Sequence, residues 1–193
     1  GHFIYFGFED RGIDRLFSLC QENSTVIDVG ANIGWTALRF ARKALRGRVL
    51  AFEPDPVNAD RCLMNAQLNK FSNLEILPIG LGEEDREVFM EVRSASNLGA
   101  NRIAPGQVQE RSNARINRMD HVEGVRNLSK VDLIKIDVEG YELKVLRGAR
   151  ETITRFKPIL FVEVDDRNLR DQGDSVPELI AYLRILGYET FAD

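Results

Sequence analysis

Short apolar runs alternate along this chain with longer amphipathic segments, and this alternation restricts the possible folds more than any other feature. The apolar runs, typical of buried strands, cover residues 26–30, 49–54, 74–82, 132–140 and 159–165. The amphipathic segments space their apolar residues three and four apart, as helices on a sheet do, at 36–45, 58–69, 141–153 and 176–187. Strands buried on both faces are typical of parallel sheets. We therefore predict a doubly wound α/β fold, with a mostly parallel sheet and helices on both faces.

One hydrophobic core is sufficient for a chain of 193 residues, so we predict a single domain over residues 1–193. The aromatic residues 3–9 belong to an N-terminal segment, 1–23, that we expect to cover the ligand cleft or to pack in the core. Residues 86–92 alternate like a half-exposed strand that pairs near the third strand. The polar segment 93–120 is predicted to be an irregular loop that borders the site.

The composition argues against several functional classes. Hydrophobic residues make up 44% of the chain, and no apolar run approaches the roughly 18 residues of a membrane span. The net charge of −4 gives no general attraction to nucleic acid. We expect a soluble, cytoplasmic protein that acts on a small molecule without a membrane or nucleic-acid partner. Cys20 and Cys62 are isolated, so we predict neither a disulfide framework nor a metal site.

The sequence VIDVGANIG, residues 26–34, ends a predicted strand with an aspartate and continues into a turn that contains glycines. In open α/β sheets this first turn binds nucleotides or nucleosides at the carboxyl ends of the strands. Gly30 and Gly34 allow the backbone to bend and to approach a ligand, and Asn32 tolerates a left-handed conformation. Glu53 ends the next strand, at the spacing from which an acidic group binds a ribose diol.

Asp28 decides which ligand suits this turn. A carboxylate repels a pyrophosphate and attracts an ammonium, and S-adenosylmethionine carries an α-amino group, a sulfonium and a ribose diol but no phosphate. These residues favour S-adenosylmethionine as the cofactor, with an NAD(P)-dependent oxidoreductase as the alternative. A structural interpretation is that Asp28 caps the following helix and that Glu53 begins a turn before Pro54.

A series of motifs resembles those of the FkbM family of S-adenosylmethionine-dependent methyltransferases. In order, over residues 24–190, they are VIDVGANIG, AFEPDPVNADRCLMNAQLN, LEILPIGLG, SNLGANRI, VDLIKIDVEGYELKVLRGARETI and KPILFVEV. The resemblance implies a class I methyltransferase sheet of seven strands and O-methylation of hydroxyl groups, often on sugars or other small molecules. It implies cofactor contacts from Asp28, Gly30, Asn32, Gly34 and Glu53. We add Ala31, Pro54, Gly82 and Asp137 to the predicted cofactor-binding residues.

The chain departs from the family pattern in two places. It stops at GYETFAD, one strand short of the usual seven, so we expect the last antiparallel strand to be absent or displaced. Residues 114–122, ARINRMDHV, are more basic than the aliphatic run usual in the family.

The predicted catalytic residues are Asp137 and Glu139, at the carboxyl end of the fourth predicted strand. Period-two geometry sends both side chains to one side if the strand extends that far. A hydroxyl acceptor must lose a proton during or after attack on the methyl group, and a carboxylate within hydrogen-bond distance accepts it. Alternatively, Glu139 lies in the first turn of a helix that begins near Tyr141.

The predicted contacts of the methyl acceptor are Asn97, Glu139 and Glu163. Glu163 interrupts an apolar strand, and a buried carboxylate needs a partner, so pairing with Arg147 or Arg167 explains it equally well. His121 is more typical of a surface residue than of a base.

Four arginines in and beside the loop suit an anionic group on the acceptor, or a solvated surface: Arg102, Arg111, Arg115 and Arg118. The sequence therefore predicts an S-adenosylmethionine-dependent O-methyltransferase. A binding subunit that keeps the fold without turnover is a further possibility.

Overall fold

The computed structural model describes residues 3–6, 11–91, 102–103 and 114–192. Its strands in chain order are β1 Phe3–Phe6, β2 Thr25–Val29, β3 Arg48–Phe52, β4 Leu74–Leu77, β5 Gly80–Leu81, β6 Arg86–Val88, β7 Met90–Glu91, β8 Arg102–Ile103, β9 Ala114–Asn117, β10 Leu133–Ile136, β11 Ile159–Val162 and β12 Glu189–Ala192. Its α-helices are α1 Arg11–Leu19, α2 Trp35–Lys43, α3 Pro56–Leu68, α4 Glu123–Arg126, α5 Glu142–Gly148, α6 Arg150–Phe156, α7 Asp166–Asp171 and α8 Val176–Ile185. A 3₁₀ turn covers Met119–His121.

The main sheet has seven strands in the order β12-β1-β11-β10-β2-β3-β4. All of its pairings are parallel, and the register sets Asp28 of β2 beside Lys135 of β10. Parallel strands place their carboxyl ends at one edge of a sheet, and ligands of such folds bind there. The predicted doubly wound α/β fold is confirmed.

Two apolar layers pack against the sheet, one on each face. Helices α1 and α2 form the first layer with fully or almost fully buried residues such as Leu16 and Phe40. Helices α5, α6 and α8 form the second, with residues such as Leu146, Ile153 and Leu183. The helices thus bury both faces of the sheet, as the near-continuous apolar strands predicted.

Two predicted elements are each divided in the structure. The run 74–82 separates into β4 of the main sheet and β5 of a smaller sheet, with Pro78 between them. Proline lacks the N–H that a continued ladder requires. The segment 141–153 forms two helices, α5 and α6, which meet at Ala149.

The loop predicted over 93–120 contains ordered structure. Strand β9 pairs parallel with β5 and antiparallel with β6, and the 3₁₀ turn follows it. A second ribbon pairs β7 with β8. The segment 86–92 therefore forms strands in two small sheets and does not extend the main sheet, because its partners come from the segment predicted to be irregular.

The ends of the chain differ most from prediction. Phe3–Phe6 is a strand of the main sheet, between β11 and β12, and in that part of the N-terminal segment no cleft cover is seen. Aromatic residues favour strands, which accounts for this outcome. The last strand, β12, is parallel to β1, so the main sheet reaches seven strands without an antiparallel member in the described chain.

Cys20 and Cys62 are buried free thiols. Among the described residues, none of the helices combines the length and the hydropathy that crossing a bilayer requires.

Candidate active site

Four turns meet at the carboxyl edge of the main sheet, after the adjacent strands β3, β2, β10 and β11. We refer to these four turns as the carboxyl-edge site. The turn after β2 holds the predicted glycines, and the turn after β3 begins with Glu53. The turn after β10 carries Asp137 and Glu139, and Glu163 follows β11. The sheet therefore brings together predicted residues that are as far as 135 positions apart, from Asp28 to Glu163 (163 − 28).

The glycine turn adopts a conformation that few other residues tolerate. Gly30, Asn32 and Gly34 have φ angles of 77°, 52° and 95°, so the left-handed conformation considered for Asn32 is present. The backbone N–H groups of Gly30 and Ala31 both donate to the carbonyl oxygen of Phe52, at 3.0 Å each. These bonds fix the turn to the end of β3.

The spaces beside the two glycines are filled by protein atoms. A Cβ atom on Gly30 would lie 1.8 Å from the carbonyl oxygen of Asp137, and one on Gly34 would lie 2.7 Å from Sγ of Cys62. We interpreted these glycines as allowing a ligand to approach the backbone. The structure gives a different reason, because Gly30 allows the turn to pack on the segment after β10 and Gly34 allows it to pack on α3.

Glu53 is 6% exposed and is held by backbone donors. Its Oε2 accepts from the N–H of Asn32 at 2.8 Å, and its Oε1 accepts from the N–H of Asp55 at 2.9 Å. Burial raises the pKa of Glu53 to about 7 in spite of these bonds. Glu53 thus joins the glycine turn to the start of α3, and each of its oxygens keeps a lone pair for a further donor.

Asp28 lies beneath the glycine turn, with no exposed surface. Its Oδ2 accepts from Thr36 Oγ1 at 2.5 Å, and its Oδ1 lies 3.4 Å from Nζ of Lys135. It does not cap α2, whose first residues have no side-chain cap. The carboxylate already has a cationic partner, so in this conformation its effect on a ligand is indirect.

Lys135 is one of two buried charged residues of the site that sequence reasoning missed. Its side chain is 4% exposed, and Nζ lies 3.1 Å from Oδ2 of Asp137 and donates to the carbonyl oxygen of Gly30 at 3.2 Å. Burial favours the neutral amine, but the charges of Asp137 and Asp28 outweigh it and raise the pKa of Lys135. A lysine inside the apolar strand LIKI was the available signal, because a buried ammonium requires anionic partners.

Asp137 and Glu163 form a carboxyl–carboxylate pair linked by a hydrogen bond. Burial opposes ionisation of Asp137, yet Lys135 and the bond from Glu163 hold its pKa below the ordinary value. The same bond and burial raise the pKa of Glu163 to about 9. These opposite shifts favour negative charge on Asp137 over negative charge on Glu163.

One of the two arginine partners suggested for Glu163, Arg147, pairs with other acids. Arg147 binds Glu83 at 3.2 Å and lies 3.6 Å from Asp174, so the suggested Arg147–Glu163 pair is wrong. The side chain of Asp137 is 37% exposed, whereas that of its counter-ion Lys135 is covered. Asp137 is thus the accessible member of this charged group.

Glu139 lies outside the helix that we considered for it. It has a φ angle of 52°, and α5 begins only at Glu142. Its Oε2 accepts from Nδ2 of Asn168 at 2.7 Å, which connects the turn after β10 with α7. The helix-start alternative for Glu139 is wrong, and both predicted catalytic carboxylates belong to the same turn.

Glu142 supports this turn from within α5, and we did not single it out from the sequence. It is 2% exposed, and its Oε1 accepts from the N–H groups of Val138 (3.2 Å) and Gly140 (3.0 Å). Burial raises the pKa of Glu142 to about 7. A glutamate three residues after Glu139 was the visible signal, since acidic side chains at helix starts commonly accept backbone hydrogen bonds.

Replacing Glu142 with glutamine should stabilise the protein above neutral pH. The folded-state pKa near 7 lies above the ordinary value of 4.5, so the native state binds the proton more tightly and the free energy of unfolding falls as pH rises from 4.5 to 7. Glutamine keeps the Oε1 acceptor and removes this loss, which is on the order of 3 kcal/mol. Urea unfolding at pH 5 and pH 8 measures it, with the exposed Glu123→Gln as control. An equal loss of stability at both pH values in Glu142→Gln would contradict the prediction.

Other predicted residues lie elsewhere or outside the described chain. A Cβ on Gly82 would meet Ile116 and Tyr141 within 3 Å, so protein atoms fill the space beside this predicted cofactor contact. His121 forms an exposed pair with Asp85, at 2.7 Å. Arg118 donates to the carbonyl oxygen of Glu83. Asn97 and Arg111 lie outside the described residues. Within those residues, no three His, Cys, Asp or Glu side chains are grouped as a metal site.

Comparison with known protein families assigns most of this chain to one family. The methyltransferase FkbM domain model matches residues 28–190, which include all four turns of the carboxyl-edge site. The chain belongs to the FkbM methyltransferase family.

Individual relatives are distant in sequence. Methyltransferase 1 of Beauveria bassiana is 28% identical over 157 residues, which are 70% of this chain and 63% of that protein. The 2-O-methyltransferase NoeI of Sinorhizobium fredii is 23% identical over 171 residues, 80% of this chain and 69% of NoeI. The crystal structure of a methyltransferase FkbM from Methylobacillus flagellatus has the same fold, with a TM-score of 0.54 and 22% identity. That match covers 84% of this chain and 38% of the other, so the chain spans less than two thirds of two of these three proteins.

Proposed function

We propose that this chain transfers a methyl group from S-adenosylmethionine to a hydroxyl group of a small molecule or sugar. The observation that carries the proposal is the contact between the glycine turn and the acidic turn after β10, where the position of a Gly30 Cβ would be 1.8 Å from the Asp137 carbonyl oxygen. A donor bound at the first turn would lie beside the carboxylates of the second. The name of the relative NoeI, a 2-O-methyltransferase, supports oxygen as the acceptor atom.

The groups at the glycine turn suit this cofactor. Glu53 has lone pairs for two ribose hydroxyls, and the buried Oδ1 of Asn32 has no hydrogen-bond partner and would accept from an amine. The uncapped start of α2 favours a carboxylate such as that of the methionine part. The free acceptors of Glu53 and Asn32 suit hydroxyl and amine donors rather than a pyrophosphate, so the turn fits S-adenosylmethionine better than NAD.

The chain's own residues then act on the acceptor. When bound, the cofactor supplies an electrophilic methyl group. Transfer would form a C–O bond from a lone pair of the acceptor oxygen and would break the C–S bond of the bound cofactor, whose electrons would return to sulfur. Asp137, held ionised by Lys135, accepts the hydroxyl proton, and Glu139 orients the acceptor by a hydrogen bond. Positioning of the two reactants supplies much of the remaining rate.

Calorimetric titration with S-adenosylmethionine, S-adenosylhomocysteine and NAD⁺ tests the cofactor. We expect binding of the first two and none of NAD⁺. Binding of NAD⁺ alone would support the oxidoreductase alternative. Incubation with methyl-labelled S-adenosylmethionine and a panel of sugars, phenols and aliphatic alcohols then tests transfer to oxygen. Cofactor binding without transfer to any hydroxyl acceptor would favour a binding subunit and contradict the proposed activity.

Replacing Glu53 with glutamine should weaken S-adenosylhomocysteine binding by about 1.5 to 3 kcal/mol, the usual worth of a hydrogen bond to a charged group. This corresponds to roughly a 10- to 150-fold higher dissociation constant. Glutamine preserves the volume of the buried side chain, but its amide turns a donor toward one of the two backbone N–H groups, so thermal unfolding of the variant must accompany the calorimetry. The exposed Glu75, in a surface pair with Arg48, offers the control Glu75→Gln. Parental affinity in folded Glu53→Gln would rule out the ribose assignment.

A further inference from the structure

The ammonium of Lys135 joins three parts of the carboxyl-edge site. It lies 3.4 Å from Oδ1 of Asp28 in β2, donates to the carbonyl oxygen of Gly30 at 3.2 Å, and lies 3.1 Å from Oδ2 of Asp137 after β10. These distances connect a strand interior, the glycine turn and the acidic turn through one side chain. Lys135 is therefore placed to determine how the donor turn sits against Asp137.

Exposure increases along this group of charges. Asp28 has no exposed surface, the Lys135 side chain is 4% exposed, and the Asp137 side chain is 37% exposed. Within the described residues Lys135 forms ion pairs with both aspartates, while none joins it to Glu163. The ammonium of Lys135 thus favours negative charge on Asp137 over negative charge on Glu163.

We infer that Lys135 is a positioning residue that fixes the glycine turn to Asp137 and keeps Asp137, rather than Glu163, the charged member of their pair. The inference rests on the proposed function for its catalytic meaning. It predicts that Lys135, whose side chain touches neither the methyl donor nor the acceptor, determines which of the two carboxyl groups is ionised. Lys135, which keeps the general base ionised, is then distinct from the general base, Asp137.

The surroundings of Asp137 make this cation necessary. Several acids lie in this group of charges: Asp28 of β2 and Glu53 after β3 interact with Lys135, Glu142 of α5 and Glu163 after β11 interact with Asp137, and Glu139 of the same turn interacts with Glu163. Nearby negative charges favour protonation of a carboxylate, and an adjacent cation opposes it. Removal of Lys135 takes this cation away from Asp137, so Asp137 should retain its proton to higher pH.

Carboxyl titration by ¹³C NMR in the ligand-free protein tests the inference without turnover. Asp137→Asn and Glu163→Gln identify the two resonances. In Lys135→Met the titration midpoint of Asp137 should rise by about one to three pH units, the usual effect of losing a close opposite charge. Lys135→Arg retains the charge and should preserve the order in which Asp137 and Glu163 titrate. The surface variant Lys130→Met removes a lysine paired with Asp132 at 3.1 Å and should leave Asp137 unchanged.

A second variant without the Lys135 charge keeps the experiment informative if Lys135→Met does not fold. Asp28→Asn/Lys135→Met removes both buried charges together, so no uncompensated Asp28 charge is left inside the sheet. The midpoint of Asp137 should still rise in it. An unchanged Asp137 midpoint in both variants that lack Lys135 would overturn the inference. An equal shift of that midpoint in Lys130→Met would also overturn it. Unfolding of both variants that lack Lys135 would overturn it as well, because Lys135 would then be required for the stability of the fold.

The kinetic readout separates this inference from the proposed function. In Lys135→Met we expect the pH below which kcat is lost on acidification to move upward together with the Asp137 midpoint, while the KM for S-adenosylmethionine changes little. A uniform loss of kcat at every pH would contradict the positioning role. If the parent protein binds no S-adenosylmethionine, the proposed function fails, whereas the NMR midpoints still decide the role of Lys135.

Discussion

Replacing Asp137 with asparagine is expected to lower methyl transfer by about 10²- to 10⁴-fold, the usual contribution of a general base. The substitution preserves shape and removes the carboxylate that Lys135 keeps ionised. Because Glu53 and the glycine turn contribute most of the proposed donor contacts, the dissociation constant of S-adenosylhomocysteine should change little. Single-turnover rates at saturating S-adenosylmethionine, measured across pH, should lose the limb that corresponds to ionisation of the base.

Two further variants make this result interpretable. Asp166→Asn removes an exposed acid that pairs with Arg170 on α7 and should leave the rate unchanged. Glu139→Gln tests the other predicted catalytic residue, whose carboxylate already accepts from Asn168. A near-parental rate in Asp137→Asn, together with a large loss in Glu139→Gln, would transfer the base role to Glu139.

Replacing Gly30 with alanine should destabilise the protein by about 2 to 5 kcal/mol. A Cβ there costs about 1 to 2 kcal/mol in the left-handed conformation and about 1 to 3 kcal/mol more by overpacking, since it would lie 1.8 Å from the Asp137 carbonyl oxygen. Backbone movement is the only relief, and it would displace the acidic turn. Chemical denaturation measures the loss, and S-adenosylhomocysteine titration of the folded fraction should show weaker binding.

Gly173 provides a matched control for this substitution. Its φ angle of 82° is close to the 77° of Gly30, but a Cβ there would have no heavy atom within 4 Å. Gly173→Ala should therefore show only the conformational cost, about 1 to 2 kcal/mol. Equal destabilisation by the two substitutions would mean that the contact with Asp137 contributes nothing to the effect of Gly30→Ala.

The sequence was sufficient to predict the strands of the site and the turns that follow them. Apolar runs and helix periodicity depend on local pattern, and the carboxyl ends of parallel strands share one edge, so Glu53 and Asp137 could be placed at the same edge in advance. The left-handed conformation of Asn32 follows from the same local chemistry. These features need no knowledge of which side chains are neighbours.

The missed features all depend on contacts between distant elements. The reason for Gly30 is a carbonyl oxygen more than 100 residues away, and the role of Lys135 follows from the register that sets it beside Asp28. Glu163 pairs with Asp137 rather than with Arg147, which no local pattern distinguishes. Likewise, β1 joins the main sheet through pairing with strands near the other end of the chain.

That pairing has a consequence for how the protein folds. Strand β12 is at the edge of the main sheet, where β1 is its neighbour, and Phe3 lies opposite Glu189, 186 residues later in the chain (189 − 3). Closing so long a loop is slow compared with forming local contacts. During synthesis, β1 therefore gains its last partner only after residue 189 has left the ribosome. Loss of residues 3–6 would leave β12 without its neighbour in the sheet, so this edge of the sheet depends on the pairing of residues 3–6 with residues 189–192.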